Sequence, residues 1–129
     1  MRYVPTIDLT KDTFTATISG NDMVLIDFWA AWCGPCRSFA PTFEAASERN
    51  PDMVFAKVDT EAESELAGYF GIRSIPTLMV FRDKVILYSQ AGALPPSSLD
   101  ELITRVREVD MEDVHRRIAE QDTQDRAAE

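Results

Sequence analysis

The chain has two cysteines, Cys33 and Cys36, and they are the residues whose spacing most directly suggests chemistry. A Cys-x-x-Cys pair can form a structural disulfide, supply part of a zinc site, or open and close as a redox-active dithiol. Each possibility makes a different demand on the rest of the chain. The remaining residues can therefore discriminate among the three.

Loop length and ligand count weigh against the first two possibilities. The chain-entropy relation assigns about 2 kcal/mol to so short a disulfide loop, against about 3 kcal/mol for a loop of about 15 residues. A structural zinc ion needs four protein ligands, and the chain has only one histidine, His115, far along the sequence. Redox exchange is favoured, and we predict no metal site.

Length and composition narrow the class of protein. A chain of 129 residues with 45% hydrophobic residues can build one domain with its own core. The formal net charge of -9 disfavours binding to nucleic acid. The sequence contains neither an apolar run of about 18 residues nor the pattern of a secretory signal at its start. We expect a cytoplasmic monomer without membrane contact, in a compartment where permanent disulfides are rare.

The elements that must position the cysteines follow from the hydrophobic pattern. Residues 23–29, MVLIDFW, have the length and apolar continuity of a strand covered on both faces. A helix should follow from about Cys33 to Arg49, with a kink at Pro41. Cys33 would then lie at a helix N-terminus, where unpaired N–H groups and the helix dipole favour a thiolate.

The other segments alternate between strand and helix patterns. We predict strands at 3–8, 53–59, 77–82 and 85–90, and helices at 11–18, 62–70 and 97–109. Ser98 and Glu101 predict a capping box for the last of these helices. Asp83-Lys84 predicts a hairpin, although lysine fits poorly to the positive φ of such turns. The order indicates an α/β fold with a mixed five-stranded sheet and helices on both faces.

Residues 110–129 differ in character from the rest of the chain. They contain seven acidic residues against three arginines. Met111, Val114 and Ile118 recur at helical spacing, and Asp110 could cap a helix. No large apolar residue follows Glu120. We therefore predict a domain over residues 1–109 and an acidic extension that forms a short helix and then frays.

The segment WCGPC at 32–36, between a buried strand and a helix, resembles the active site of the thioredoxin family. The resemblance covers about residues 3–109 and includes four further blocks in register: DFWA at 27–30, KVD at 57–59, GIRSIPT at 71–77 and GAL at 92–94. It implies the thioredoxin fold and a protein-disulfide reductase without a bound cofactor. It also implies that an NADPH-dependent flavoprotein, thioredoxin reductase, restores the dithiol.

The resemblance implies roles for four residues around the thiols. Cys33 would attack a substrate disulfide, and Cys36 would resolve the mixed disulfide. Asp27 would be a buried acid of raised pKa that accepts the Cys36 proton, with Lys57 near it. The alternative for Asp27 is a carboxylate that faces solvent or pairs with Lys57.

The resemblance also implies a substrate-binding surface around the cysteines. Trp32 should be exposed beside Cys33, whereas Trp29 should pack behind it in the core. The Ile75–Pro76 bond should be cis, with the Ile75 backbone free to pair with an extended substrate segment. The full predicted surface consists of Trp32, Gly34, Pro35, Ile75, Pro76 and Gly92.

Two other functions remain compatible with the fold. One is a disulfide oxidase or isomerase, which a redox titration would separate from a reductase. The Gly-Pro between the cysteines and the missing signal sequence disfavour it. The other is a docking module with the acidic extension as its adaptor, which the intact dithiol motif disfavours.

Overall fold

Strands and helices alternate in the order that the hydrophobic pattern predicts. The structure is a computed structural model, and it describes residues 5–128. The five strands are β1 (Thr6–Asp8), β2 (Met23–Trp29), β3 (Val54–Asp59), β4 (Thr77–Arg82) and β5 (Val85–Ala91). The five helices are α1 (Lys11–Ser19), α2 (Gly34–Arg49), α3 (Ser64–Tyr69), α4 (Pro96–Glu108) and α5 (Met111–Ala127). The part of the first predicted strand at Tyr3 and Val4 lies outside the described residues.

The strands form one mixed sheet in the order β1-β3-β2-β4-β5. The α2 crossover makes β2 and β3 parallel, and β1 is also parallel to β3. β4 runs antiparallel to both β2 and β5. The predicted mixed five-stranded sheet is confirmed, and β2 is its central strand, which explains the apolar run at 23–29.

Helices cover both faces of the sheet, and each face has its own core. Side chains of α2 and α4 pack with Leu25, Phe55 and Leu78 on one face. Side chains of α1 and α3 pack with Val24, Ile26 and Phe28 on the other. Because side chains alternate along a strand, Asp27 and Trp29 lie on the same face as Leu25, below α2.

The hairpin between β4 and β5 has the predicted pairing and an unfavourable residue in its turn. Asp83 and Lys84 both have positive φ, 50° and 68°. The N–H of Asp83 donates to the carbonyl of Asp22 at 2.8 Å, which anchors the turn to the residue before β2. Lys84 therefore adopts the left-handed conformation that its side chain disfavours.

The predicted capping box at Ser98 and Glu101 is wrong. α4 begins earlier, at Pro96, with Pro95 as its N-cap and no side-chain hydrogen bond to the cap. Proline is suited to the first helical position because its φ is fixed near the helical value and its missing N–H would be unpaired there. Two consecutive prolines thus move the helix start ahead of the capping-box motif.

The expectation that the extension frays after Glu120 is also wrong. α5 begins at Met111, where Asp110 accepts a hydrogen bond from the N–H of Asp113 at 3.2 Å, and it continues to Ala127. Its second half is exposed, but side-chain pairs one turn apart support it, such as Gln121 with Asp125 at 2.9 Å. Along residues 5–128, no helix has the length and apolar character needed to cross a membrane.

Candidate active site

Cys33 and Cys36 form a disulfide at the start of α2, with their Cα atoms 5.2 Å apart. Cys33 is the N-cap residue of α2, and its Sγ accepts a hydrogen bond from the N–H of Cys36 at 3.2 Å. Pro35 occupies the first turn, where its missing N–H is harmless. The helix therefore begins where the sequence predicts it. The backbone N–H groups of its first turn stabilise negative charge on the Cys33 sulfur.

The two cysteine residues are both buried while they are bonded to each other. Cys33 is 4% exposed and Cys36 is 2% exposed, so Cys36 lies only slightly deeper. Both pack with Ala30, Trp29 and Ile75. Trp29 therefore packs against the disulfide, but it is half-buried and does not lie in the core, where the sequence had placed it.

Asp27 is the one ionisable residue in the buried strand β2, and it is 1% exposed. Among the described residues, neither of its carboxylate oxygens has a hydrogen-bond partner. Burial raises the pKa of Asp27 to about 7, and the positive charge of Lys57 opposes that rise. The burial excludes a solvent-facing Asp27, and along residues 5–128 its oxygens accept no hydrogen bond from Lys57, so neither form of the alternative is observed.

Lys57 lies across from Asp27 on the neighbouring strand, in direct register. Its Nζ is 5.2 Å from the centre of the Trp29 ring, a distance at which a cation interacts with an aromatic face. The Trp29 Nε1 atom, like the Asp27 oxygens, is buried without a partner in the described part of the chain. Asp27, Trp29 and Lys57 thus form a polar group on the sheet face that α2 covers.

A loop from another part of the chain lies against the disulfide. The Ile75–Pro76 peptide bond is cis, and the carbonyl oxygen of Ile75 is 3.6 Å from the Cys33 Sγ. The N–H of Gly92 donates to the Pro76 carbonyl at 2.8 Å. Gly92 has φ of 116°, and the space where a Cβ would lie is open, so a second chain can approach this backbone closely.

The predicted substrate surface is brought together around the disulfide, with one difference in exposure. Trp32 is 67% exposed, and Gly34, Pro35 and Gly92 are also exposed. Ile75 is half-buried, whereas Pro76 is buried. Pro76 therefore exposes little of its ring at this surface.

Glu61 was missed by the reasoning from sequence. Its Oε1 accepts a hydrogen bond from Trp32 Nε1 at 2.7 Å. The two residues are far apart in the chain, and neither type nor spacing indicates the contact. The topology explains it, because Glu61 follows β3 and Trp32 follows the parallel neighbour β2 at the same edge of the sheet.

Other charged side chains are exposed or bind partners other than the cysteines. Arg37 donates to the Ala31 carbonyl at 3.0 Å, and Arg73 is exposed beside the cis-proline loop. His115 pairs with Asp83 at 3.4 Å, at the opposite edge of the sheet. His115 is therefore remote from the cysteines, in agreement with its having no part in the predicted site.

Comparisons with known proteins agree with this geometry. The family model described as Thioredoxin matches residues 5–105. The chain belongs to the thioredoxin family. Family membership together with the Cys33–Cys36 disulfide makes it a thiol-disulfide oxidoreductase of the protein-disulfide reductase type, with the disulfide as its redox-active group.

Individual relatives support the same assignment. A Streptomyces coelicolor protein provisionally named thioredoxin 2 is 54% identical over 119 residues, which are 92% of this chain and 89% of the relative. Thioredoxin of Bacillus subtilis is 37% identical, over 77% of this chain and 95% of the relative. The solved structure of Plasmodium falciparum thioredoxin matches with a TM-score of 0.71 at 37% identity, covering 78% of this chain and 97% of that one. The first of these alignments is long enough to include part of the extension.

Proposed function

We propose that reduction of a substrate disulfide begins with the Cys33 thiolate. The observation that carries this assignment is the position of Cys33 at the N-cap of α2, with the Cys36 N–H pointing at its sulfur. A thiolate is the attacking species, and this environment lowers the cost of forming one. The sulfur also lies 3.6 Å from the carbonyl oxygen of Ile75, in the loop that carries the cis-proline.

The reaction consists of two exchange steps that transfer two electrons. Cys33 attacks one sulfur of the substrate disulfide, forms a mixed disulfide, and releases the other substrate sulfur as a thiolate. Cys36 then attacks the Cys33 sulfur, and the second substrate sulfur leaves. The substrate gains two electrons and two protons, and the protein ends with the Cys33–Cys36 disulfide that the structure contains.

Asp27 is proposed to accept the proton of Cys36 in the second step. A base works best when its pKa is close to the working pH, and burial brings the pKa of Asp27 to about 7. The positive charge of Lys57, in register beside Asp27, opposes the rise in the pKa of Asp27. It therefore favours the ionised carboxylate near neutral pH. Both residues lie on the sheet face under α2, the helix that begins at the thiols.

The substrate is proposed to bind as an extended segment across the exposed residues that surround the disulfide. The partial exposure of Ile75 and the open space over Gly92 support pairing of a substrate strand with this loop. Trp32, Gly34 and Pro35 add apolar contact on the other side of the cysteines. A surface built largely from backbone and apolar groups selects weakly among protein disulfides.

The electrons are proposed to come from NADPH through a flavoprotein thioredoxin reductase, with the protein working as a monomer in the cytoplasm. A coupled assay tests the function: NADPH, thioredoxin reductase and insulin, with NADPH consumption as the readout. The wild-type protein is expected to sustain NADPH oxidation, whereas Cys33→Ser should leave only the background rate. Insulin reduction by Cys33→Ser at the wild-type rate would refute the assignment.

The order of the two cysteines has its own test. Cys36→Ser should accumulate mixed disulfides with protein substrates, because the resolving thiol is absent. Non-reducing electrophoresis followed by reduction would reveal them. Accumulation with Cys33→Ser in place of Cys36→Ser would reverse the two roles.

A further inference from the structure

The exposed indole of Trp32 is held in one place. An exposed side chain of this size ordinarily samples several rotamers, because no packing selects one. Here the indole Nε1 donates to the Glu61 carboxylate at 2.7 Å while the ring stays 67% exposed. A hydrogen bond to an acceptor oxygen on another loop ties the far end of the indole to one place, so it restricts the ring.

The acceptor itself stands on a fixed backbone. The Asp59 carboxylate accepts hydrogen bonds from the N–H groups of Glu61 and Ala62, at 2.9 and 3.3 Å. Both the N–H and the hydroxyl of Thr60 donate to the carbonyl of Trp29, at 2.9 and 3.0 Å. The loop after β3 is therefore tied to the end of β2, the strand that leads into the indole-bearing turn.

We propose that Glu61 is a positioning residue, which fixes the Trp32 ring in advance at the place where a protein substrate binds. This inference rests on the proposed role of Trp32 as a substrate contact. Binding a protein must immobilise the side chains that it touches, and that ordering weakens binding. A ring that is already fixed avoids this cost, which corresponds to a factor of about three to ten in affinity.

The proposal predicts an effect on protein substrates and none on the thiols themselves. Glu61 contacts the indole and not a sulfur, so the intrinsic reactivity of Cys33 should not depend on it. A minimal disulfide such as 2-hydroxyethyl disulfide offers too little surface to use the ring. Insulin, a protein substrate, should depend on it.

The experiment mixes pre-reduced protein with increasing insulin and records single turnovers. Glu61→Ala is expected to raise the half-saturating insulin concentration about three- to tenfold, with the maximal rate within about twofold of wild type. Glu61→Gln removes the charge but keeps an acceptor oxygen, so it should stay within about twofold in both. Glu65→Ala is the matched control, since that acid pairs with Lys11 at 2.8 Å and not with the indole. All three variants should reduce 2-hydroxyethyl disulfide at the wild-type rate.

The indole N–H resonance of Trp32 supplies a readout that a merely structural role would not move. Glu61→Ala should shift it toward the position of a solvated indole and speed its hydrogen exchange, whereas Glu61→Gln should leave it near the wild-type position. The half-saturating insulin concentration should follow this resonance from variant to variant. A rise in Glu61→Gln with the resonance unchanged would overturn positioning in favour of charge.

A double-mutant cycle with Trp32→Ala separates the positioning role of Glu61 from the proposed role of Trp32 as a substrate contact. Glu61→Ala should have no further effect once the indole is removed. An equal effect in both backgrounds, or none in the wild-type background while Trp32→Ala itself weakens insulin binding, would overturn the positioning role. If Trp32→Ala leaves insulin binding unchanged, the proposed substrate contact fails instead, and Cys33 chemistry stands untouched.

Discussion

At the scale of single residues, the buried carboxyl of Asp27 destabilises the folded chain and is also proposed to act as a base in the reaction. A carboxyl without hydrogen-bond partners in an apolar interior destabilises the folded chain in its charged form. The same burial brings its pKa to about 7, where it can take up and release a proton during turnover. The two consequences make separate predictions for the same substitution, Asp27→Asn.

In kinetics, Asp27→Asn should slow insulin reduction because Cys36 loses its proton acceptor. The wild-type rate should rise with pH through about 7, as the Asp27 carboxyl loses its proton, and the variant should lack this rise. At pH 8 the variant is expected to be at least about tenfold slower. Asp122→Asn, at an exposed position, serves as the control. Identical pH–rate profiles for Asp27→Asn and wild type from pH 6 to 8 would contradict the role of Asp27 as proton acceptor.

In stability, the sign of the effect follows from linkage. The pKa of Asp27 is raised in the folded state from 3.8 to about 7, so the folded chain holds the proton more tightly than the unfolded chain. This contribution is fully present below about pH 4 and is lost as the pH rises through about 7. The total loss is on the order of 4 kcal/mol, since one pKa unit corresponds to about 1.4 kcal/mol.

Asp27→Asn should therefore gain stability over wild type as the pH increases. The difference in free energy of unfolding between the two proteins should grow from about pH 4 and level off above about pH 8. Urea denaturation of the oxidised proteins at several pH values measures it. A difference that stays constant with pH would show that Asp27 does not titrate in the folded protein.

At the scale of elements, the β4–β5 hairpin carries a correctable strain. Lys84 has φ of 68°, which disfavours any residue with a Cβ by roughly 1–2 kcal/mol relative to glycine. Lys84→Gly should raise the free energy of unfolding by about 0.5–1 kcal/mol, because glycine's greater freedom in the unfolded chain offsets part of the gain. Lys84→Ala keeps the unfavourable φ and removes the charge, so it should not stabilise. A gain in both variants would assign the effect to charge.

The C-terminal helix should contribute stability without contributing to the reaction. Its first turn buries Met111, and the Arg82 guanidinium donates to the carbonyls of Val106 and Val109 at 2.7 Å, just before the helix begins. Ending the chain after Val109 should lower the free energy of unfolding by about 2 kcal/mol, the contribution of one buried side chain of this size. Insulin reduction should stay at the wild-type rate.

A second truncation controls for the loss of length and charge. Ending the chain after Ala119 removes only exposed residues of α5 and should change stability by less than about 0.5 kcal/mol. A loss of insulin reduction after either truncation would give the extension a part in substrate binding. Equal stability in the two truncations would contradict the contribution of Met111.

At the scale of the whole molecule, the fold gathers the site at one edge of the sheet and the extension at the other. The end of β2, the start of β4 and the residue after β5 surround the disulfide. The opposite edge holds the Asp83-Lys84 turn and its contact with His115 on α5. Because the two edges share no residue, changes in the extension and changes in the site should be independent in their effects.

The sequence predicted the parts of this arrangement that depend on local pattern. The pattern of apolar residues predicts the buried strand at 23–29 and the helix after Cys33. This pattern is strong because the sheet has a hydrophobic core on each face. The persistence of α5 to Ala127 could not be found in the same way, because exposed side-chain pairs and not burial support its second half. The Glu61 contact with Trp32 depends on two strands being neighbours, a property of topology that neither residue signals.

Both tryptophans of the chain, Trp29 and Trp32, belong to the site: one packs against the disulfide and the other precedes Cys33 directly. An excited indole near a disulfide loses energy by transferring an electron to it, so its fluorescence is quenched. The tryptophan emission of the protein therefore comes entirely from this edge of the sheet and should brighten when the disulfide is reduced. The oxidation state can be followed optically during turnover, with no label attached.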